Sequence, residues 1–190
     1  MARVGLDTRQ IIETAAKIAN AEGIDNLSLK RMAAELGVRA PSLYNHIQSL
    51  DDLRRQLMLY GWRQMEEKLL HAVVGYSGHE AIRVMCNAFY AYATENPGVF
   101  NAMLWYNKFQ DEQTQQATNR LFTILFQIMR PLNLTDEQIN HLIRTFRAML
   151  EGYALLVNNN AFGNPISIRE SFDLSVEVLV RGVQALEVDV

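Results

Sequence analysis

Gly37 and Pro41 stand four residues apart between two short apolar runs, and no other feature limits the possible folds of this chain so tightly. Upstream, Ser28 is placed to cap a short helix whose apolar side is Met32, Ala33 and Leu36, and Gly37 supplies the residue that can turn left-handed at its end. Val38 leads through Arg39 and Ala40 to Pro41, which at the first helical position starts a second short helix, Pro41 to Ile47. Two short helices with a glycine between them and a small alanine on the inner face describe a helix-turn-helix. The second helix carries Arg39, Ser42, Tyr44, Asn45 and His46, side chains that can hydrogen-bond to phosphates or base edges, as a recognition helix must.

The elements around this motif are helical too. Between Thr8 and Glu22, Ile11, Ile12, Ala15, Ala16, Ile18 and Ala19 recur at helical spacing, with Asp7 or Thr8 as cap and Gly23 as stop. Ile24 and Leu27 then plug the core of a three-helix domain spanning residues 1–50. Residues 1–6 read as disordered, with Arg3 able to reach a DNA backbone. Ser49 caps the next helix, with Asp52 as capping-box partner, and Leu53, Leu57, Tyr60, Met65 and Leu69 carry it for about 35 Å. A helix of that length can join two domains rigidly. A helix from His79 ends before Asn96-Pro97, where a short apolar one begins and runs towards Tyr106. Glu112 to Met129 forms another, with Leu121, Phe122, Leu125, Phe126 and Met129 on its buried side. Thr135 with Gln138 and Ser167 with Glu170 have capping-box form and start helices at about 136–158 and 168–186. No strand signal occurs, so the class is all-α, about nine helices, with residues 51–190 as a second, helical domain.

The last two helices are apolar over two faces. The first has Ile139, Ile143, Phe146, Leu150 and Tyr153 with Leu156 and Val157 besides. The second has Phe172, Val176, Leu179, Val183 and Leu186 on one face and Leu174, Val178 and Ala185 on another. One face can pack on the chain's own core, and the other requires a second copy, most simply through a C2 four-helix interface.

Gly23-Ile24, Leu27-Ser28, Ala33, Leu36-Gly37-Val38, Leu43-Tyr44, His46 and Leu53 fall, with the same spacing, where the tetracycline-repressor (TetR) family carries its DNA-binding signature. The chain resembles that family over nearly its whole length, since Asn96 to Phe100, Glu151 to Tyr153, Phe162-Gly163 and Ser171-Phe172 are similar to one of its subgroups. The resemblance implies a homodimeric transcriptional regulator, most simply a repressor. Each recognition helix would enter a major groove of a palindromic double-stranded operator, and a small-molecule inducer would release the protein. One position departs from the pattern: Leu50 stands where the family commonly has a phosphate-binding lysine, so Arg54, Arg55 or Gln48 must take that role or it is lost.

The charge distribution fits this reading only locally. The net charge is −3, yet residues 1–55 hold eight Lys and Arg against seven Asp and Glu. Only this segment suits a polyanion. Cys86 is the only cysteine, which excludes an intrachain disulfide and reads as a buried structural thiol. No apolar run approaches the ~18 residues of a membrane span and no signal-peptide core opens the chain, so a cytoplasmic location without membrane association is expected. His71, His79 and His141 have no ligand spacing with one another or with Cys86, so no metal is expected. No nucleophile-base order or phosphate loop points to an enzyme, and no cofactor is implied.

For DNA, Arg39, Ala40 and Asn45 are assigned to base edges, Ala40 by methyl contact with thymine, and Ser28, Lys30, Ser42, Tyr44 and His46 to phosphates. The other reading has Tyr44 and His46 packing beneath the first helix. For the inducer, the resemblance implies a cavity, and Phe89, Phe100, Met103, Trp105, Tyr106, Phe122, Phe126, Phe146, Arg147 and Tyr153 are its candidates. That residue set suits a largely apolar or aromatic molecule. Any one of them can instead be core, and Arg147 can instead pair with Glu151 on its own helix. Leu50 and the near-neutral first domain leave a second function open: an adaptor or coactivator with weak or partner-dependent DNA binding.

Overall fold

The computed structural model describes residues 6–188. Among them are nine α-helices and no strand: α1 Thr8–Glu22, α2 Leu29–Leu36, α3 Ala40–Leu43, α4 Leu50–Val73, α5 Gly78–Glu95, α6 Pro97–Met103, α7 Glu112–Met129, α8 Asp136–Asn158 and α9 Ile168–Val188. Short 3-10 turns fill Ile24–Asn26 and Leu104–Lys108. The all-α class is therefore as expected. Arg3 lies outside the described residues.

Packing divides the chain into two compact units, one comprising residues up to Gln64 with Asn96–Ala117 and the other Met65–Glu95 with Thr118 onward. In the first unit α1 is capped by Asp7, whose carboxylate accepts from the Gln10 amide at 2.7 Å while the Gln10 side chain reaches back to the Asp7 amide. Its apolar stripe, Ile11, Ile12, Ala15, Ala16, Ile18 and Ala19, is buried, and Ile24 and Leu27 close the core beneath it. Gly37 ends α2 at φ 64°, ψ 30°, the left-handed conformation in which a side chain would crowd its own carbonyl.

The packing of α6 against α1 could not be read from local sequence. Gly98 lies so close to the end of α1 that a Cβ there would stand 2.0 Å from the Ala19 carbonyl oxygen. Asn96 does not cap α6 with its own side chain. The cap comes from α1, where Asn20 Oδ1 accepts from the Gly98 and Val99 amides, both at 3.0 Å. Asn20 Nδ2 meanwhile donates to Asn96 Oδ1 at 3.1 Å. A foreign asparagine thus satisfies two of the four amides that any helix start leaves open.

The second unit has its core where α5, α8 and α9 meet. Ile82, Met85, Cys86 and Phe89 of α5, Ile143, Phe146 and Leu150 of α8, and Phe172, Val176, Val180 and Val183 of α9 are all buried. Phe172 is held between rings, stacked on Tyr90 at 4.2 Å and edge-on to Tyr153 at 5.4 Å. Arg83 of α5 bridges to Glu177 of α9 at 3.0 Å.

Several expected details differ. The short apolar helix stops at Met103, and Leu104–Lys108 tightens into a 3-10 turn. Asp52 takes the Gln48 amide, one residue upstream of the expected Ser49 amide, at 2.8 Å. Phe122 was expected on the buried side of α7 but is exposed, because Leu121 and Met129 set the core line and Phe122 lies one residue, about 100°, off it. Leu186, expected with the core face of α9, is also exposed, in the last turns of that helix.

Candidate functional site

The recognition segment differs in detail from the expected helix Pro41 to Ile47. Helix α3 begins at Ala40, with Pro41 in its second position, and its regular ladder ends at Leu43. Starting one residue early costs no hydrogen bond, since the amide that proline lacks is still among those a helix start leaves open. Beyond Leu43 the chain continues as one further turn, in which the His46 and Ile47 amides both donate to the Leu43 carbonyl at 2.9 and 3.0 Å. Sharing one acceptor ends the ladder but preserves the register. Leu43 and Ile47 remain four apart and are both buried, at 0% and 1% exposure.

This register turns the intervening side chains outward. Arg39 and Asn45 are exposed, Ala40, Ser42 and His46 half-buried, and Tyr44 is 57% exposed. Tyr44 therefore does not pack beneath α1. Ser28 caps α2 by accepting from the Arg31 amide at 3.2 Å, which leaves its O–H able to donate, and Lys30 beside it is exposed. Arg31 is not available to a polyanion. It holds Glu22 at 2.7 Å and Glu35 at 2.8 Å, and its hydrogen bond pulls the Glu22 carboxyl below the usual range.

The residues that could replace the lysine absent at Leu50 are mostly occupied. Arg55 forms a bidentate pair with Asp111, at 2.6 and 2.8 Å, and a further bond to Gln113 at 2.9 Å. Arg54 pairs with Asp51 at 3.5 Å, and its guanidinium carbon lies 5.5 Å from the centre of the Trp105 ring. Of these three only Gln48 has an exposed side chain with no partner among the described residues; its backbone amide is engaged, by Asp52.

The effector candidates divide between the units. Phe100 and Met103 are buried in the first, while Trp105 and Tyr106 on the 3-10 turn are half-buried. In the second, Phe89 and Phe146 are buried, Phe126 and Tyr153 half-buried and Phe122 exposed. Arg147 holds Glu151 at 2.6 Å on its own helix. The Tyr153 hydroxyl donates to the Ser171 carbonyl at 2.9 Å. Sequence reasoning missed Trp62, which meets Tyr106 edge-on at 6.1 Å and is only 7% exposed. Its indole N–H is buried with no hydrogen-bond partner among the described residues. No local signal marks such an orphan, because it is defined by what surrounds it.

Burial pushes the Cys86 thiol up to about 12, far from the thiolate that nucleophilic chemistry needs. Among the described residues no group of three His, Cys, Asp or Glu side chains is placed to hold a metal, and no helix is long and apolar enough to cross a membrane.

Comparison with known proteins agrees with this arrangement. Residues 11–57 match the bacterial regulatory proteins of the tetR family, and residues 82–179 match the tetracyclin repressor-like C-terminal domain. YobS of Bacillus subtilis (strain 168), an uncharacterized HTH-type transcriptional regulator, is 29% identical over 182 residues, covering 95% of this chain and 94% of YobS. A protein of unknown function from Rhodococcus sp. RHA1 has the same fold at TM-score 0.82 and 17% identity, covering 95% of this chain and 96% of that one. So does the TetR family protein ActR of Streptomyces coelicolor, solved in complex with actinorhodin, at TM-score 0.69 and 19% identity, covering 95% of this chain and 97% of ActR. With a recognition segment facing outward from a three-helix head and both halves of the chain matched, this protein belongs to the TetR family of transcriptional regulators, proteins that control transcription and are not enzymes.

Proposed function

We propose that this regulator is a repressor, that it binds a palindromic operator as a homodimer, and that a small molecule releases it. The observation that carries the reading is the outward row Arg39, Tyr44 and Asn45, anchored by buried Leu43 and Ile47. Arg39 and Asn45 would read base edges, each with about 1–3 kcal/mol of discrimination, and Ala40 would touch a thymine methyl. Ser28, Lys30, Ser42, Tyr44 and His46 would hold phosphates. Residues 1–50 would be the DNA-binding domain and 51–190 the effector and dimerisation domain, although α6 and its 3-10 turn pack with the DNA-binding helices.

The exposed apolar side chains Leu156, Leu174 and Val178 support dimerisation through α8 and α9. Half-site centres would then lie about 34–36 Å apart, or somewhat more. The effector would be a small molecule, as actinorhodin is bound by ActR, and largely apolar or aromatic to suit the aromatic and methionine candidates. Phe100, Met103, Trp105 and Tyr106 are the proposed contacts on the first unit, where the unpaired Trp62 N–H favours a molecule bearing an acceptor atom. Phe89, Phe122, Phe126, Phe146, Arg147 and Tyr153 are those proposed on the second. Release requires that the effector bind the non-operator form better, since equal affinity for both shifts nothing.

Selection of bound fragments from genomic DNA, with Asn45→Ala alongside, tests the reading. One palindromic sequence should be enriched by the parent chain and lost by the variant. A folded dimer that enriches nothing would favour the adaptor reading instead. The observations behind that reading are Leu50 and the capture of Arg55 by Asp111.

A further inference from the structure

An open groove of about 1090 Å³ runs between the outer face of α1 and the turn joining α2 to α3. We propose that it seats a sugar–phosphate strand of the operator flanking the bases read by α3, and that Lys17 is a phosphate contact there. The proposal rests on the DNA-binding reading above and extends it to a helix that carries none of the residues assigned to DNA so far.

Three observations carry it. First, the groove is continuous with the recognition segment, because Arg39 and Ser42 form one wall while Thr14 and Lys17 of α1 form the other. A duplex presenting bases to Asn45 would bring its backbone past this opening. Second, the groove's acids have partners and its bases do not. Its two carboxylates are both engaged, Glu13 by Arg9 at 2.7 Å and Glu35 by Arg31 at 2.8 Å, the latter a cation shared with Glu22. Lys17 and Arg39 are exposed and take part in no ion pair among the described residues. What the groove offers an incoming molecule is therefore two cations on opposite walls. Third, the groove has a smooth floor at Gly37, where a Cβ would meet nothing within 4 Å, so a backbone can approach closely. An open groove with an unpaired cation on each wall suits an extended polyanion, whose affinity comes from displaced counterions.

The test is a titration of the full chain against a random-sequence 30-base-pair duplex and against the selected operator, in KCl from about 50 to 300 mM. Lys17→Ala should weaken binding to both duplexes by about three- to tenfold and make the slope of log K against log salt shallower by about 0.9, the value of one phosphate contact. Its operator-to-random preference should be unchanged, and Lys17→Arg should restore the slope. Asn45→Ala should do the reverse, losing preference and keeping slope. Lys17 is exposed, so the fold is expected to survive, with the circular dichroism melt as the check. A parent-like slope in Lys17→Ala, or a loss that Lys17→Arg does not restore, overturns the proposal alone. Failure of the parent chain to bind either duplex overturns the DNA-binding reading and this proposal with it. A groove that instead takes an acidic protein segment would appear as a Lys17→Ala effect on that partner and none on DNA, which also overturns it.

Discussion

One side-chain amide, that of Asn20, connects two helices that are more than seventy residues apart in the chain. Its oxygen satisfies two backbone amides at the start of α6, and both residues carrying them are buried. Asn20→Ala would leave those donors without partners in a place that water cannot easily reach. The expected cost is about 2 kcal/mol, more than the loss of an ordinary exposed cap, because the bonds are tertiary and the amides buried. Urea denaturation measures it, and a loss under about 0.5 kcal/mol would mean that water replaces the amide. The same residue explains the close contact at Gly98. Only a residue without a Cβ lets α6 come near enough to α1 for the asparagine to reach both amides.

At the scale of the element, the beginning of α7 is organised by Asp111. Its carboxylate accepts from the Thr114 amide at 3.0 Å and takes both prongs of the Arg55 guanidinium. The hydrogen bonds from Arg55, helped by the Thr114 amide and opposed by some burial, hold this carboxyl well below the usual carboxylate range. A carboxyl whose folded pKa is depressed contributes stability that is complete above its unfolded value, near pH 4, and is lost as pH falls towards the folded value. The two side chains are 25% and 37% exposed, so solvent screening reduces the contribution to about 1 kcal/mol. Asp111→Asn should therefore be about 1 kcal/mol less stable than the parent at neutral pH, with the gap narrowing only below about pH 4. Denaturation at about pH 7, 4 and 2.5 measures this, and a gap constant across the three would show that the carboxylate charge is not its source. The same pair draws Arg55 away from any phosphate, and for that reason the proposed phosphate contacts would fall more to Gln48 and Lys17 than the count of arginines suggests.

For the whole molecule, the question is how many copies act together. Leu174 and Val178 are 66% and 59% exposed, one turn apart on α9, and Leu156 is 42% exposed on α8. Glycines stand one turn from them, Gly152 before Leu156 and Gly182 after Val178, and nothing lies within 4 Å of where a Cβ would project from either. Apolar side chains beside small ones let a second pair of helices approach closely, the arrangement an isologous interface needs. The double change Leu174→Arg, Val178→Arg places unpaired charge in that face and should weaken association by at least about a hundredfold. Sedimentation velocity should then show half the parent mass with the helical circular dichroism signal unchanged. A dimer that persists would place the interface elsewhere.

What the sequence determined by itself was everything set by neighbours a few residues apart. Capping by Ser28 and Thr135, the left-handed stop at Gly37, the buried stripe of α1 and the all-α class follow from spacing alone, because helix formation is governed by contacts three and four residues along, while the choice of Asp7 over Thr8 as the first cap came from the structure. The outward display of Arg39 and Asn45 was legible for the same reason, through the burial of Leu43 and Ile47. The exposure of Phe122, the orphan N–H of Trp62 and the engagement of Arg55 were not, since each depends on which distant surface arrives. Most of all, only tertiary structure decided that α6 packs with the DNA-binding helices. The Asn20 amide and the bare backbone of Gly98 carry no local signal, and they acquire their meaning when long-range packing brings α1 and α6 together.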